Sequence, residues 1–427
     1  MNEPFSLKLL RPVYDALMSA VIPLTRSHHR LEEGYDERIL AEALPSGVDL
    51  WIQAASVGEA HLALQLLENL PADRRMRVLA TTCTRQGRDI LDAGAGRLTG
   101  SERPVTLQTG YLPFDKPSLM RRAVDHVQPR AMVLLETELW PGLLWALRRR
   151  NAPTLVVNGR MRTASLARYL LADKLFAALS PSQVLAVSEP DARRFQTLFP
   201  DADVEVSPNM KFDRFTADEP LPYTKNPLAS LFRPTTPLLV LGSVREQEKD
   251  LAAELVQRVR AERPTTVTAV FPRHMHHVES FAEAFARRGV DVVLRSQAEA
   301  PVPFGSTLLW DAFGELTQAY WLARAVFVGG SLAPLGGQNF LEPLACGVVP
   351  VIGPHWSNFA WVGEGVLEQG LVVQAASPAE AAGALVEQMG RSQPREDVRE
   401  AALEYVRTRQ GGTQRACSQV ARWLGSR

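Results

Sequence analysis

Glu59 stands three residues after Ser56 in "AASVGEAH", where an apolar run ends and a helical pattern begins. Such a carboxylate either caps its helix, since the start of a helix favours negative charge, or serves as a general base at the sheet edge. In "LLETELWPGLL", Glu136 and Glu138 close an apolar run, and Pro141 opens the next helix in its favoured early position. Two carboxylates and Trp140 at one strand end exceed what capping requires. Lys211 in "NMKFD" reads alone as a solvated surface charge. "FPRHMHH" sets Pro272, Arg273 and His274 at a further strand end. Its three histidines invite a metal reading, but no nearby Asp, Glu or Cys set completes a coordination sphere, so no metal is expected.

The longest signal is "FVGGSLAPLGGQNFLEPLACGVVPVIGP", residues 327 to 354. An apolar strand ends in Gly329 and Gly330, and Gly336 and Gly337 precede Gln338 and Asn339. Pro343 lacks an amide hydrogen and is comfortable only near a helix start, so the helix is expected to begin close to Asn339. Strand, glycine-rich loop and helix start together suggest free amides gathered on an anion such as phosphate, with Glu342 in reach of ribose hydroxyls. A tight loop that needs glycine for packing alone is the other reading. No Lys-Ser/Thr follows the glycines, so the loop is not a P-loop.

Placing these residues at strand ends requires the strands. Residues from 49 onward alternate "DLWIQAAS", "RVLATTC", "RAMVLLE", "PTLVVNG" and "SQVLAVS" with helical patterns. After residue 237 come "LLVLGS", "TVTAVFP", "VDVVLRS", "STLLWD", "AVFVGG" and "VVPVIG", again separated mostly by helices. Continuous apolar strands alternating with helices imply α/β domains with parallel sheets covered on both faces. Proline-rich residues 214–237 read as a linker between an N-terminal domain, 35–213, and a C-terminal domain, 238–427, whose last helix is free to cross back. Two doubly wound domains suggest a ligand cleft between them.

The 427 residues carry 47 Lys+Arg and 47 Asp+Glu, a balance that disfavours a nucleic-acid-coating protein. Three scattered cysteines fit a reducing compartment and offer no zinc or disulfide framework. Residues 1–34 form a region of their own. "FSLKLLRPVYDALMSAVIPL" is too charged for a spanning helix, while Lys8, Arg11, Arg26 and Arg30 bracket its apolar positions as in a helix lying on an anionic membrane. A helix packed on the first domain is the alternative.

Taken in order, "SVGE", "LETELWP", "NGRMRTAS", "KFD", "GSVREQEKD", "FPRH", "DAFGEL", the glycine-rich stretch and "GPHWSNF" resemble the Kdo transferases of lipopolysaccharide assembly. The resemblance runs from about residue 35 to residue 370. It implies a GT-B fold and an inverting glycosyltransferase that moves 3-deoxy-D-manno-octulosonate (Kdo) from CMP-Kdo to lipid IVA. It further implies a location on the cytoplasmic face of the inner membrane; no cofactor is expected, since no metal-ligand set surrounds the donor-site motifs. Glu59 matches the family's general base, and Glu136 and Lys211 match residues that stabilise the transition state. Pro272 and Arg273, Phe313 to Glu315 through Gly314, and Asn339 to Glu342 through Phe340 and Leu341 match segments that hold CMP. The chain departs from the family where Gln338 stands for a histidine, Phe340 for a proline and Pro208 for a glycine, and where Val244–Arg245 replaces Thr-His. Two other readings remain: a UDP-sugar transferase or sugar-nucleotide epimerase of the same architecture, and a two-domain solute-binding protein without catalysis.

Overall fold

The computed structural model describes residues 5–28, 31–71, 75–99, 105–215, 219–391 and 394–425. Its contacts divide the chain into two compact units, residues 1–214 with 409–427, and residues 215–408.

The first unit holds seven strands: β1 (Leu50–Gln53), β2 (Met76–Thr82), β3 (Val105–Tyr111), β4 (Ala131–Leu135), β5 (Thr154–Gly159), β6 (Gln183–Ala186) and β7 (Asp203–Val206). They run parallel in the order β3-β2-β1-β4-β5-β6-β7. Successive strand residues face opposite sides, so both faces of the sheet are buried. Trp51, Leu79, Met132 and Leu134 pack on one side, and Leu50, Ile52, Val78, Val133 and Leu135 on the other. The last helix, Gly412–Gly425, belongs to this unit and adds Cys417, Val420 and Leu424 to the second of these cores. The sequence reading omits β3 and β7. Both are edge strands whose polar alternation hides them, and β7 has no fully buried residue.

The second unit repeats the plan with β8 (Leu238–Val244), β9 (Val267–Pro272), β10 (Val292–Leu294), β11 (Thr307–Leu309), β12 (Ala325–Val328), β13 (Pro350–Ile352) and β14 (Val373–Gln374). The order is β10-β11-β9-β8-β12-β13-β14, again parallel. The proline-rich segment, read from sequence as a linker, is tied to this unit over its described part, 219–237. Leu228, Leu231 and Phe232 are buried, Asn226 donates to the Gln318 carbonyl at 2.8 Å, and the Val302 amide donates to the Leu231 carbonyl at 2.9 Å.

The N-terminal helix Phe5–Leu24 packs on the first unit through polar anchors. The Tyr14 hydroxyl donates to Asp115 at 3.0 Å, and the Ser118 amide donates to Asp15 at 2.6 Å. Val13, Leu17 and Leu24 of the same helix stay mostly exposed. Of the basic residues bracketing this region, Arg30 and the Lys8 side chain lie outside the described residues. No helix among the described residues is long and apolar enough to cross a membrane.

Asp115 is the hub of this corner. Its carboxylate takes the amides of Gly142 and Leu143, at 2.9 and 2.8 Å, so it caps the helix Pro141–Arg149 that follows β4. Burial pushes its pKa up to about 7 against the pull of those amides. Asp115→Ala leaves two helix-start donors and the Tyr14 hydroxyl without an acceptor. It is expected to lower the unfolding free energy by about 2–4 kcal/mol, read from urea unfolding monitored at the tryptophans.

Candidate active site

Strand order reverses between β1 and β4 in the first unit, and between β8 and β12 in the second. Loops leaving the carboxyl ends of such a pair diverge and open a binding crevice. The loops that carry Glu59, Glu136, the start of "GSVREQEKD" and the glycine-rich stretch each leave one of these four strands.

In the first unit, Glu59 lies on the first turn of the helix Val57–Asn69, whose N-cap is Ser56. Its carboxylate accepts from the Ala55 amide and from the Ser56 hydroxyl, both at 2.8 Å. The Ser56 oxygen in turn accepts from the Glu59 amide at 3.4 Å, a reciprocal capping arrangement. The residue is only 8% exposed. Desolvation by burial raises its pKa to about 7, the nearby Glu138 carboxylate adds to the rise, and the two hydrogen bonds oppose it. A carboxylate in this state exchanges a proton near neutral pH.

Glu138 acts on Glu59 more strongly than Glu136 does. It accepts from the Trp140 indole at 2.7 Å and from Gln53 at 3.3 Å, and burial raises its own pKa. Gln53 is fully buried at the end of β1 and is steadied by the Thr81 hydroxyl, which donates to it at 2.6 Å. Gln53 was not singled out by sequence, since a polar residue closing an apolar run carries no signal of its own. Glu136 has a positive φ of 53°, rare for a side chain of its kind, and pairs with Lys211 at 2.6 Å. The lysine is delivered by a short turn, Met210–Arg214, whose Met210 amide donates to Asn158 and whose Lys211 amide donates to Asn209. Glu59, Glu136 and Lys211, far apart in sequence, thus meet at one sheet edge.

The second unit gathers some of its candidates. Arg273 lies close enough to Glu342 to lower its pKa, against a larger rise from desolvation. Asn339 donates to Glu342 at 2.8 Å and accepts the Leu341 amide at 3.2 Å. Phe340 is turned into the core against Phe359 and Trp356, and Leu341 is also buried, so neither offers its side chain to a ligand. Phe313 is 80% exposed beside Gly314, which has a positive φ of 82°. Glu315 is held apart from that tip by Arg295, at 3.1 and 3.2 Å, and by the Trp310 indole at 2.8 Å.

The glycine loop departs from expectation. Its Gly330, Leu332 and Ala333 amides are not free, because all three donate to Glu248, a carboxylate only 1% exposed. The helix Leu341–Ala345 begins two residues past Asn339 and spans five residues. Gly329 is required by close approach, since a Cβ there would meet the Val244 backbone at 2.5 Å. No group of His, Cys, Asp or Glu among the described residues is placed to hold a metal ion.

A family model described as 3-deoxy-D-manno-octulosonic-acid transferase (kdotransferase) matches residues 27–214. The 3-deoxy-D-manno-octulosonic acid transferase of Haemophilus influenzae is 30% identical over 379 residues, covering 87% of this chain and 86% of that protein. The chain belongs to the 3-deoxy-D-manno-octulosonic acid transferase family. The Bordetella pertussis transferase is likewise 30% identical, over 389 residues and 89% of each chain. Kdo transferases are glycosyltransferases, and the fold agrees. A glycosyltransferase from Rickettsia africae superposes with a TM-score of 0.54 at 9% identity, covering 89% of this chain and all of that one. HepE from Anabaena, solved with UDP, gives 0.52 at 16% identity over 88% of this chain and 99% of its own. Two doubly wound units of this kind are the GT-B architecture.

Glu248 is the support that the glycine loop leans on. Glu248→Gln keeps its size but turns an amide group, itself a donor, toward at least one of three backbone donors. An expected loss of about 1–3 kcal/mol in stability accompanies faster hydrogen exchange at Gly330, Leu332 and Ala333, measured by mass spectrometry.

Proposed function

We propose that this Kdo transferase uses CMP-Kdo as donor and lipid IVA as acceptor, inverting the anomeric centre, with Glu59 as general base. The observation that carries the reading is the state of Glu59, a buried carboxylate with a pKa near 7 at the crevice-forming end of β1. In the reaction the acceptor hydroxyl gives its proton to Glu59 as its oxygen bonds to the anomeric carbon. The bond from that carbon to the phosphate oxygen breaks, and CMP departs with the electron pair. Positive charge grows on the sugar ring and negative charge on the phosphate.

Lys211 has three donors and gives one to Glu136, so others remain for the carboxylate of the sugar. Glu136, held in a strained conformation by the strand end, fixes where that cation stands. On the second unit we assign CMP to Arg273, Asn339 and Glu342, with Arg273 toward phosphate and Glu342 toward ribose hydroxyls. Pro272, Phe313, Gly314 and Glu315 shape the loops around them, and Phe340 and Leu341 contribute through the backbone. The exposed apolar residues of the N-terminal helix and the cations that bracket it in sequence suit attachment to the cytoplasmic face of the inner membrane, and no helix among the described residues is long and apolar enough to span it. Mass spectrometry of lipid IVA incubated with CMP-Kdo tests the whole reading, and UDP-sugars in the same assay test the rival donor class.

Glu59→Gln keeps shape but cannot take a proton. Turnover is expected to fall by at least about a hundredfold, while CMP affinity, read by calorimetry, stays near wild type. Near-normal turnover with a small loss of stability would leave Glu59 a helix cap only.

The same group sets a pH dependence. The base works ionised, and its pKa is raised to about 7, so kcat/KM is expected to be half-maximal near pH 7 and to fall about tenfold per unit below it. Ser56→Ala removes a donor that favours the ionised form and moves this acid limb to higher pH. An unshifted profile in the alanine variant would overturn the assignment.

A further inference from the structure

The first unit carries a cavity of about 250 Å³ that the reaction as derived above does not use. Trp145, Leu175, Phe176 and Leu179 line it, with Pro117 and Pro141 at its side. Among the described residues Arg11 is the one charged residue of the lining, and its guanidinium lies over the Trp145 ring at 4.8 Å. Tyr14 also lines the cavity, but its hydroxyl donates to Asp115. A peptide segment entering here would bring backbone donors and acceptors that such walls leave unsatisfied. An alkyl chain has none to satisfy.

The surroundings narrow the choice. Ala172 lines the cavity, and its chain neighbours Leu170 and Leu171 are 39% and 88% exposed. Val13 and Leu17, on the helix that supplies Arg11 and Tyr14, are 66% and 58% exposed. Exposed leucines and valines beside an apolar cavity mark a surface that meets lipid. Charge agrees: residues 160–178 contain Arg160, Arg162, Arg168 and Lys174 against Asp173, which favours anionic head groups. The wall is also chained to the carboxylates. Pro141 follows Trp140, whose indole donates to Glu138, the carboxylate that acts on Glu59.

We propose that this cavity is an acyl-chain subsite, receiving one hydrocarbon chain of the lipid acceptor and so orienting its sugar hydroxyl toward the Glu59–Glu138 edge. The subsite rests on the lipid-acceptor reading given above. It makes the protein select for acylation of the acceptor through binding, independently of the proton transfer at Glu59.

Ala172→Trp fills the cavity from a partly exposed position on its wall. Kinetics are compared on lipid IVA and on the same bisphosphorylated disaccharide stripped of its acyl chains. KM for lipid IVA is expected to rise about tenfold or more, since several methylenes lose their burial. Turnover of the stripped acceptor and KM for CMP-Kdo are expected to stay unchanged. Equal losses on both acceptors, or none on either, overturn the subsite. The wild-type protein supplies a second readout that does not depend on a variant's folding. Lipid IVA carrying a diazirine at an acyl terminus is expected to label Trp145, Leu175 or Phe176, mapped by peptide mass spectrometry. Absence of label there, or labelling by a diazirine phosphatidylglycerol that lipid IVA does not displace, overturns it. Wild-type transfer to lipid IVA is the control. Its absence overturns the lipid-acceptor reading and the subsite with it, whereas transfer with unaltered Ala172→Trp kinetics overturns the subsite alone.

Discussion

Main-chain amides in the loops that leave the strands have no partner in the sheet, and several of them are buried or half-buried. Much of this structure depends on how they are satisfied. Side-chain carboxylates do it repeatedly. Asp115 takes Gly142 and Leu143, Asp191 takes Met161 at 2.9 Å, Glu59 takes Ala55, and Glu248 takes Gly330, Leu332 and Ala333. A carboxylate has two oxygens and accepts only, so it can hold two or three converging donors where an amide or hydroxyl would leave one opposed. Burying that charge is costly alone, as the raised pKa of Asp115 shows. The cost is offset because several donors stay fixed in place.

Rigid strand ends permit backbone conformations that a looser loop would relax. Glu136, Asn158 and Ser243 all have positive φ, at 53°, 57° and 55°, and each sits at or near the end of a strand. Side chains at such positions leave the sheet at angles that regular strand geometry does not offer. Glu136 uses this to reach Lys211, while Asn158 accepts the Met210 amide that begins the lysine's own turn. In the second unit, the Gly329 backbone can lie against Val244 because Glu248, in the turn after Val244, holds the residues that follow Gly329.

Legibility in the sequence follows from how local each cause is. Apolar runs that are buried on both faces declare themselves, and eleven of the fourteen strands stand in the stretches read as strands. β3, β7 and β14 do not, because strands at or beside the rim face solvent on part of their length and so keep polar residues. Glu59, Glu136 and the glycine loop were visible because each carries its own turn chemistry within a few residues. Glu248 lay in a quoted motif, yet its work concerns amides more than eighty residues away, and nothing in "VREQEKD" points to them. The proline-rich segment misled for a related reason. Prolines announce irregular backbone, but Leu228, Leu231 and Phe232 decide where that backbone packs.

Capping a helix and accepting a proton are not opposed at Glu59: the same bonds that make it a cap also act on its pKa. The Ala55 amide and the Ser56 hydroxyl that make it a cap are donors to its charged form, and they lower its pKa. Burial and the neighbouring Glu138 raise it, and the balance falls near 7. A cap in open solvent would stay ionised well below neutrality and be a poor acceptor of protons. A buried carboxylate without the cap's donors would hold its proton above neutrality and be unavailable as a base. The capping bonds are therefore part of what tunes the group. Glu138 completes the tuning while its own carboxylate is occupied by Trp140 and Gln53. Glu59, with its pKa raised to about 7, is thereby poised to change its charge at the pH where the proposed transfer would run.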